Sequence, residues 1–430
     1  MTEPLKIAIA GLGTVGAGSL RILQTHGDLL AERARRPVQV TAVSARDKSR
    51  DRGLDLADIE WYEDAAEMAA KADCDLVLEL IGGSDGIAKT VCEGAIAAGR
   101  HVVTANKALI ALHGTELAKS AEKSGVSLAY EAAVAGGIPV VKALREGLTG
   151  NRVTRIQGIL NGTCNYILTA MRESARAFDD VLAEAQELGY AEADPSFDID
   201  GIDAAHKLAI LSSLAFGSEV DFDGVHVEGI RSITEDDIAF ADELGYRIKL
   251  LGIAECTDDG IRQRVHPTMV PISAPIAAIE GVLNGVAIEG DFVGPTMLEG
   301  AGAGGGPTAS AVVADIVDIA CGRISPVFGI PADSLESLPA APMESHAGPY
   351  FVRMMVYDRP GVLADISATL RDHEISIEGV IQRTRSETEA VPVVLTVHET
   401  TERAMNAAMK KIAALDAIQA PMQVIRIERS

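Results

Sequence analysis

The turn Gly11-Leu12-Gly13-Thr14-Val15-Gly16 limits this chain's fold more than any other feature. The short apolar run Lys6 to Ala10 enters it, an amphipathic stretch from Thr14 to about Ala34 leaves it, and a second apolar run, Val38 to Ser44, follows. This strand-turn-helix-strand order is what a dinucleotide-binding fold requires. Gly11 makes the tight turn, Gly13 lets backbone approach a pyrophosphate, and Gly16 lets the helix pack close to the strand. A GxGxxG run alone is often only a loop; the flanking elements give it meaning. The second strand ends in Val43-Ser44-Ala45-Arg46-Asp47, where Arg46 suits the 2′-phosphate of NADP and Asp47 could serve the ribose hydroxyl of NAD. Arg46 is equally readable as a solvated surface charge, and the reading leans to NADP.

Strand and helix signals keep alternating: a strand from Asp75 to Ile81, a helix from Ile87 to Ala98, and a strand at His101 to Val103 that runs into Thr104-Ala105-Asn106-Lys107. Strand ends of this kind line the ligand crevice of an open parallel sheet. Lys107 is thus either a substrate or nicotinamide contact or a lysine capping a solvated loop. A strand at Ser127 to Glu131 leads into a small-residue turn ending in Gly136-Gly137-Ile138-Pro139, whose backbone carbonyls and one carboxylate could hold a monovalent cation, though the residues alone read first as a bare turn.

From residue 151 the pattern becomes α+β, with strands near 153–160, 246–255, 261–269 and 282–291 and a long helix from about Ile202 to Phe216. A second glycine cluster, Gly300 to Gly306, precedes Pro307, which marks a helix start. Returning to the first domain, that helix would close the nucleotide crevice. Asp203 and Lys207 are four apart on the 202–216 helix and share one face, as a surface salt bridge or a partly buried acid/base pair. Glu192, on a loop stiffened by Pro195, is a solvated carboxylate or a partner for a substrate ammonium group. Residues 331–349, rich in proline and serine, read as a linker, and a separate small βαββαβ unit should follow.

The formal charge of -24, with 62 acidic against 38 basic residues, argues against nucleic acid and anionic membrane as partners. The five scattered cysteines form no CxxC pair, so reduced thiols are expected. The start has no secretory pattern, and a cytoplasmic enzyme or sensor is expected.

Taken together, the glycine turn, Ala105-Asn106-Lys107, Asn161-Gly162-Thr163, the run Gly189 to Pro195, the run Asp200 to Lys207, and Gly300 to Gly304 resemble the homoserine dehydrogenase family over residues 5 to 330. Asp358-Arg359-Pro360-Gly361-Val362-Leu363 resembles an ACT module, and with no kinase domain before the first strand the likeness is to the monofunctional form. The fold this implies is α/β. A Rossmann-type nucleotide-binding domain (1–135) is followed by an α+β catalytic and dimerisation domain (136–330), the linker (331–349) and a C-terminal ACT domain (350–430). The implied reaction interconverts L-homoserine and L-aspartate 4-semialdehyde with NAD(P), in threonine, methionine and isoleucine biosynthesis.

In the roles the resemblance implies, Lys207 is the general acid/base, and Asp203, Glu192 and Lys107 bind substrate. Lys107 also lies near the nicotinamide, while the glycine turn, Gly189 and Gly302 contact the cofactor. Glu131, Val134, Gly136 and Ile138 fall on sodium-ligand positions. L-Threonine as effector and a homodimer or homotetramer are further expectations. Two rival readings remain: a phosphorylating semialdehyde dehydrogenase with Cys164 as nucleophile, and a non-catalytic amino-acid sensor.

Overall fold

The computed structural model describes residues 3–383, 386 and 389–428. Its first sheet contains β1 (Leu5–Ala10), β2 (Val38–Ser44), β3 (Glu60–Tyr62), β4 (Leu76–Glu79), β5 (His101–Thr104) and β6 (Leu128–Ala129), in the order β3-β2-β1-β4-β5-β6. Every pairing in it is parallel. Parallel strands are covered on both faces and so read as nearly continuous apolar runs, which is how β1 and β4 look in the sequence. Along β1, Leu5, Ile7 and Ile9 face one core with Leu20, Val312 and Ile316, while Ala8 and Ala10 face the other with Met68 and Val91. The chain reverses its direction of winding between β1 and β4, which places the glycine turn at the switch point where such sheets bind ligands.

The second sheet is mixed. It contains β7 (Val153–Ile159), β8 (Val225–Val227), β9 (Tyr246–Thr257), β10 (Gly260–Pro271), β11 (Leu283–Gly290), β12 (Gly294–Ala301), β13 (Ala347–Val356), β14 (Ile377–Gln382), β15 (Val391–Thr401) and β16 (Gln423–Ile427). Its order is β12-β11-β7-β9-β10-β16-β13-β15-β14, with β8 also paired to β10.

The last four strands and the helices Val362–Asp372 and Glu402–Ile412 follow the expected βαββαβ order. They do not form a detached sheet. β16 lies parallel to β10, with Thr268 opposite Arg426 and Met269 opposite Ile427, so one sheet runs from the catalytic part into the C-terminal part. The 331–349 segment is likewise no loose tether: it bridges Ser218 to Glu336 and Ile261 to Ala340.

Several elements differ from expectation. The stretch from Thr14 to Ala34 is two helices, Thr14–Thr25 and Gly27–Ala34, interrupted at His26 just before the poor helix former Gly27. Gly300 and Ala301 belong to β12, and the helix they precede is Gly305–Ala320, with Pro307 in its first turn. Helix Glu235–Glu243 lies outside the elements expected from periodicity, although its capping box, Thr234 with Asp237, stands in the sequence. No helix among the described residues is long and apolar enough to cross a membrane.

Candidate functional site

The glycine turn has the geometry of a pyrophosphate cradle. Gly11 adopts φ +103°, and a Cβ there would come within 2.5 Å of the Leu80 carbonyl oxygen. A Cβ at Gly16 would sit 1.9 Å from the Gly11 carbonyl oxygen, so only glycine lets helix Thr14–Thr25 approach the strand this closely. At Gly13 nothing lies within 4 Å of a Cβ position, which leaves the backbone open to a ligand. Gly13 caps the helix without a side-chain hydrogen bond, so the first N–H groups, from Thr14 and Val15 onward, have no capping side chain. The positive end of the helix dipole adds to this, and the residues present fit a dinucleotide phosphate. Leu12 is buried, and its carbonyl accepts from Arg52 Nε at 3.1 Å.

Helix Gly305–Ala320 returns to this region as expected. A Cβ at Gly18 would meet the Gly305 carbonyl oxygen at 2.6 Å, so the two helices touch backbone to backbone. The turn at Gly302 leads into that helix and lies against Gly136, where a Cβ would come within 2.3 Å of the Gly302 carbonyl oxygen. Gly189 takes φ +75°, with nothing within 4 Å of a Cβ position.

The polar residues converge on Asp203. It is 3% exposed near the start of helix Ile202–Phe216, and its Oδ2 accepts from Lys207 Nζ at 2.7 Å. Its Oδ1 lies 2.6 Å from Lys107 Nζ, and Asn161 Nδ2 donates to its Oδ2 at 2.8 Å. Burial opposes the charge on Asp203, but the two lysines outweigh it and hold the carboxyl well below the usual carboxylate range. Lys207 also donates to the Leu160 carbonyl at 2.7 Å. Burial pushes its ammonium below the ordinary lysine value, with Lys107 adding repulsion and Asp203 opposing. The pair is therefore buried, and the surface salt bridge is excluded.

Lys107 opens the helix that follows β5, where Asn106 caps by accepting from Leu109 N at 3.1 Å. Its side chain is one-third exposed and lies over the Phe197 ring at 5.4 Å. Burial works against its charge, yet Asp203, Asp198 and Glu192 together raise its affinity for the proton. Glu192 is exposed on its loop, and its backbone carbonyl accepts from Gln186 Nε2 at 2.9 Å.

The structure adds partners that sequence reasoning passed over. Asn161 bridges two carboxylates, donating to Asp198 Oδ1 as well as to Asp203, both at 2.8 Å. Asp198, pushed up by burial, faces the two lysines from the short helix Ser196–Ile199. The run Asp194 to Asp203 contains four aspartates, and spacing alone cannot say that Asp198 and Asp203 are the two that turn inward.

Cys164 does not fit a nucleophile. It is fully buried, its thiol is pushed well up by burial with Asp198 and Asp203 adding to the effect, and Sγ donates to the Asp198 carbonyl at 3.2 Å. The covalent rival loses its thiolate.

The candidate cation turn is buried. Glu131 accepts from Val141 N at 2.9 Å and Lys142 N at 2.8 Å, which commits its carboxylate to the backbone. Ala135 and Gly136 take φ of +54° and +50°, which turns the chain sharply; Val134, Gly136 and Ile138 are buried with Glu131, and the Glu131 and Ile138 carbonyls accept from Val134 N at 3.4 Å and Val140 N at 2.8 Å. Among the described residues no group of three or more His, Cys, Asp and Glu could hold a metal.

Arg46 is exposed in the loop after β2, among Lys48, Arg50 and Arg52. Asp47 accepts from Ser49 N and Oγ at 2.9 and 2.6 Å.

Comparison with known proteins matches this site to a family. Residues 11–131 match the homoserine dehydrogenase NAD-binding domain, residues 139–317 the homoserine dehydrogenase family, and residues 350–417 the ACT domain. Homoserine dehydrogenase of Pseudomonas aeruginosa is 46% identical over 434 residues, with 99% of each chain covered. That of Neisseria gonorrhoeae is 44% identical, again over 99% of each. The crystal structure of a homoserine dehydrogenase from Thiobacillus denitrificans superposes with a TM-score of 0.93 at 46% identity, covering 99% of this chain and 98% of that one. A hyperthermophilic archaeal homoserine dehydrogenase in complex with NADPH superposes at a TM-score of 0.63 and 28% identity, over 74% of this chain and 97% of the other. The family models over residues 11–131 and 139–317, with relatives 44–46% identical over the full length, show that the chain belongs to the homoserine dehydrogenase family.

Proposed function

We propose that Lys207 is the proton donor when L-aspartate 4-semialdehyde is reduced to L-homoserine, and the proton acceptor in reverse. The observation that carries this is the buried ammonium held between Leu160 O and Asp203 Oδ2 at 2.7 Å each. Two N–H directions are thereby taken, and the remaining one is available to a substrate oxygen. When bound, the nicotinamide cofactor supplies or accepts the hydride. Asp203 fixes the direction of the Lys207 and Lys107 side chains and keeps both charged groups paired inside the protein. Lys107 and Glu192 hold the charged end of the amino acid, with Asp203 and Asp198 turned toward the same space. Burial makes Lys207 a stronger acid than a free lysine, which suits proton transfer nearer neutrality. Replacing Lys207 by alanine should lower kcat by about a thousandfold with little change in cofactor affinity; turnover left intact would refute the assignment.

NADP is the preferred cofactor in this reading. Arg46 stands in a loop with Lys48, Arg50 and Arg52, and Asp47, which would otherwise serve a ribose hydroxyl, is occupied by Ser49. Gly189 and Gly302 contact the cofactor, and the 131–138 carbonyls hold a sodium ion. The division at 135, 330 and 349 separates the nucleotide, catalytic, linker and ACT parts. The ACT part binds L-threonine as feedback effector and joins chains into a dimer or tetramer; β14, at the end of the sheet with Val380 49% exposed, supports pairing of modules. The enzyme works in the cytoplasm, in keeping with five unpaired cysteines.

A further inference from the structure

Asn284 of β11 is 1% exposed and stands between the two halves of the site. Its Nδ2 donates to the Leu160 carbonyl at 3.0 Å, the same oxygen that accepts from Lys207 at 2.7 Å. Its amide also lies directly against the Gly302 backbone: a Cβ at 302 would come within 2.1 Å of Asn284 Cγ and 2.3 Å of its Oδ1. That Oδ1 is buried and has no hydrogen-bond partner among the described residues. Burying an unpaired amide oxygen is a cost that a leucine of similar size would avoid, so the position holds an amide for the N–H it gives to Leu160. Leu160 follows the last residue of β7 and immediately precedes Asn161, the residue that bridges Asp198 and Asp203. A carbonyl with two donors is fixed in direction, and the ammonium that shares it is fixed as well.

We infer that Asn284 is a positioning residue for the proton donor. It acts through the Leu160 carbonyl and holds Lys207 in register with the Gly302 turn. The inference rests on Lys207 being that donor. The groups facing Lys207 are Asp203 and His206 on its own helix, Lys107 on the helix after β5, Asp198 on the short helix, and Cys164 on helix Gly162–Ser174. Of these, the carboxylates favour its proton and Lys107 opposes it. Asn284 contributes no charge, so its influence is directional.

The test uses Asn284→Leu and Asn284→Asp in the full-length enzyme. Asn284→Leu should lower kcat by about ten- to a hundredfold, as a small misplacement of a reacting group does, while KM for the semialdehyde stays within about threefold. Asn284→Asp places a carboxylate against Leu160 near Lys207. It should move the alkaline limb of the kcat/KM profile upward by about one pH unit, the lower range for an opposite charge at such distance. In the cofactor-free protein the same variant should shift the pH dependence of Lys207 acetylation, read by peptide mass mapping, in the same direction. Should the leucine variant fold poorly, the aspartate variant and the acetylation carry the test alone. Wild-type kcat in a folded Asn284→Leu enzyme would overturn the inference, as would wild-type pH limbs together with wild-type Lys207 acetylation in Asn284→Asp. Retained turnover in Lys207→Ala would instead overturn the assignment on which it rests, and the acetylation readout separates the two because it requires no turnover.

Discussion

Arg426 and Glu228 meet across the seam where β16 joins β10, with hydrogen bonds of 2.9 and 2.8 Å from the guanidinium to the two carboxylate oxygens. The same guanidinium donates to both oxygens of Glu402, at 2.9 and 2.6 Å, so one buried cation ties the ACT part to the catalytic part. Removing it leaves Glu402 buried without its partner. Arg426→Ala should lower stability by about 3–5 kcal/mol, the usual result of breaking a buried pair, measured by urea unfolding. Glu228 and Glu402 are opposed by burial, but Arg426 outweighs it, with Tyr350 and His226 helping, and both lie below the ordinary glutamate value of 4.5. Their folded-state values are depressed, so their stabilisation is present above that value and lost as pH falls below it. Wild type should therefore lose stability steeply on acidification below about pH 4.5, and Arg426→Ala should show a shallower loss over the same range. Parallel acid slopes in the two proteins would contradict this.

Removing the chain after residue 345 would disturb the catalytic part as well as the ACT part. It would expose the β10 edge that β16 covers and strip Asp237 of Arg353, which donates to it at 2.6 and 3.0 Å. Exposed strand edges associate, so this truncation should aggregate, detectable as a rise in light scattering. A truncated protein that stays dispersed and fully active would contradict the continuous sheet.

Cys164→Ser should leave turnover within about twofold of wild type, since proton transfer to or from Lys207 needs no thiol. A covalent mechanism would instead lose activity outright. The exchange puts a hydroxyl at a fully buried position, where the Asp198 carbonyl that now accepts from Sγ can accept from it, and should cost on the order of 1 kcal/mol of stability.

Arg46→Ala should lower activity with NADP by about tenfold or more and leave activity with NAD nearly unchanged, because a guanidinium contributes to a 2′-phosphate and not to a ribose hydroxyl. The ratio of kcat/KM for the two cofactors, measured in wild type and variant, reads this directly. An equal loss with both would remove Arg46 from the phosphate site.

Local signals carried far along this chain where function depends on backbone. Gly11, Gly13 and Gly16 announce their roles because the need for a positive φ or a close helix-strand approach leaves glycine little alternative. Asp203 and Lys207 share a face because 3.6 residues per turn puts them there. The interruption at His26 and the helix at Glu235–Glu243 were harder, since Gly27 is tolerable within a helix and the capping box precedes a run whose apolar stripe is weak.

What the sequence determined by itself was the order of the main strands and helices, the dinucleotide turn and the identity of the charged residues, because each depends on neighbours within a few positions. Tertiary structure alone decided that Asp203 is shared between Lys107 and Lys207, that Asp198 joins it inside while Asp194 and Asp200 do not, and that β16 closes onto β10. These outcomes depend on charges and strand edges brought together from distant parts of the chain, where burial strengthens each pairing and penalises any group left without one.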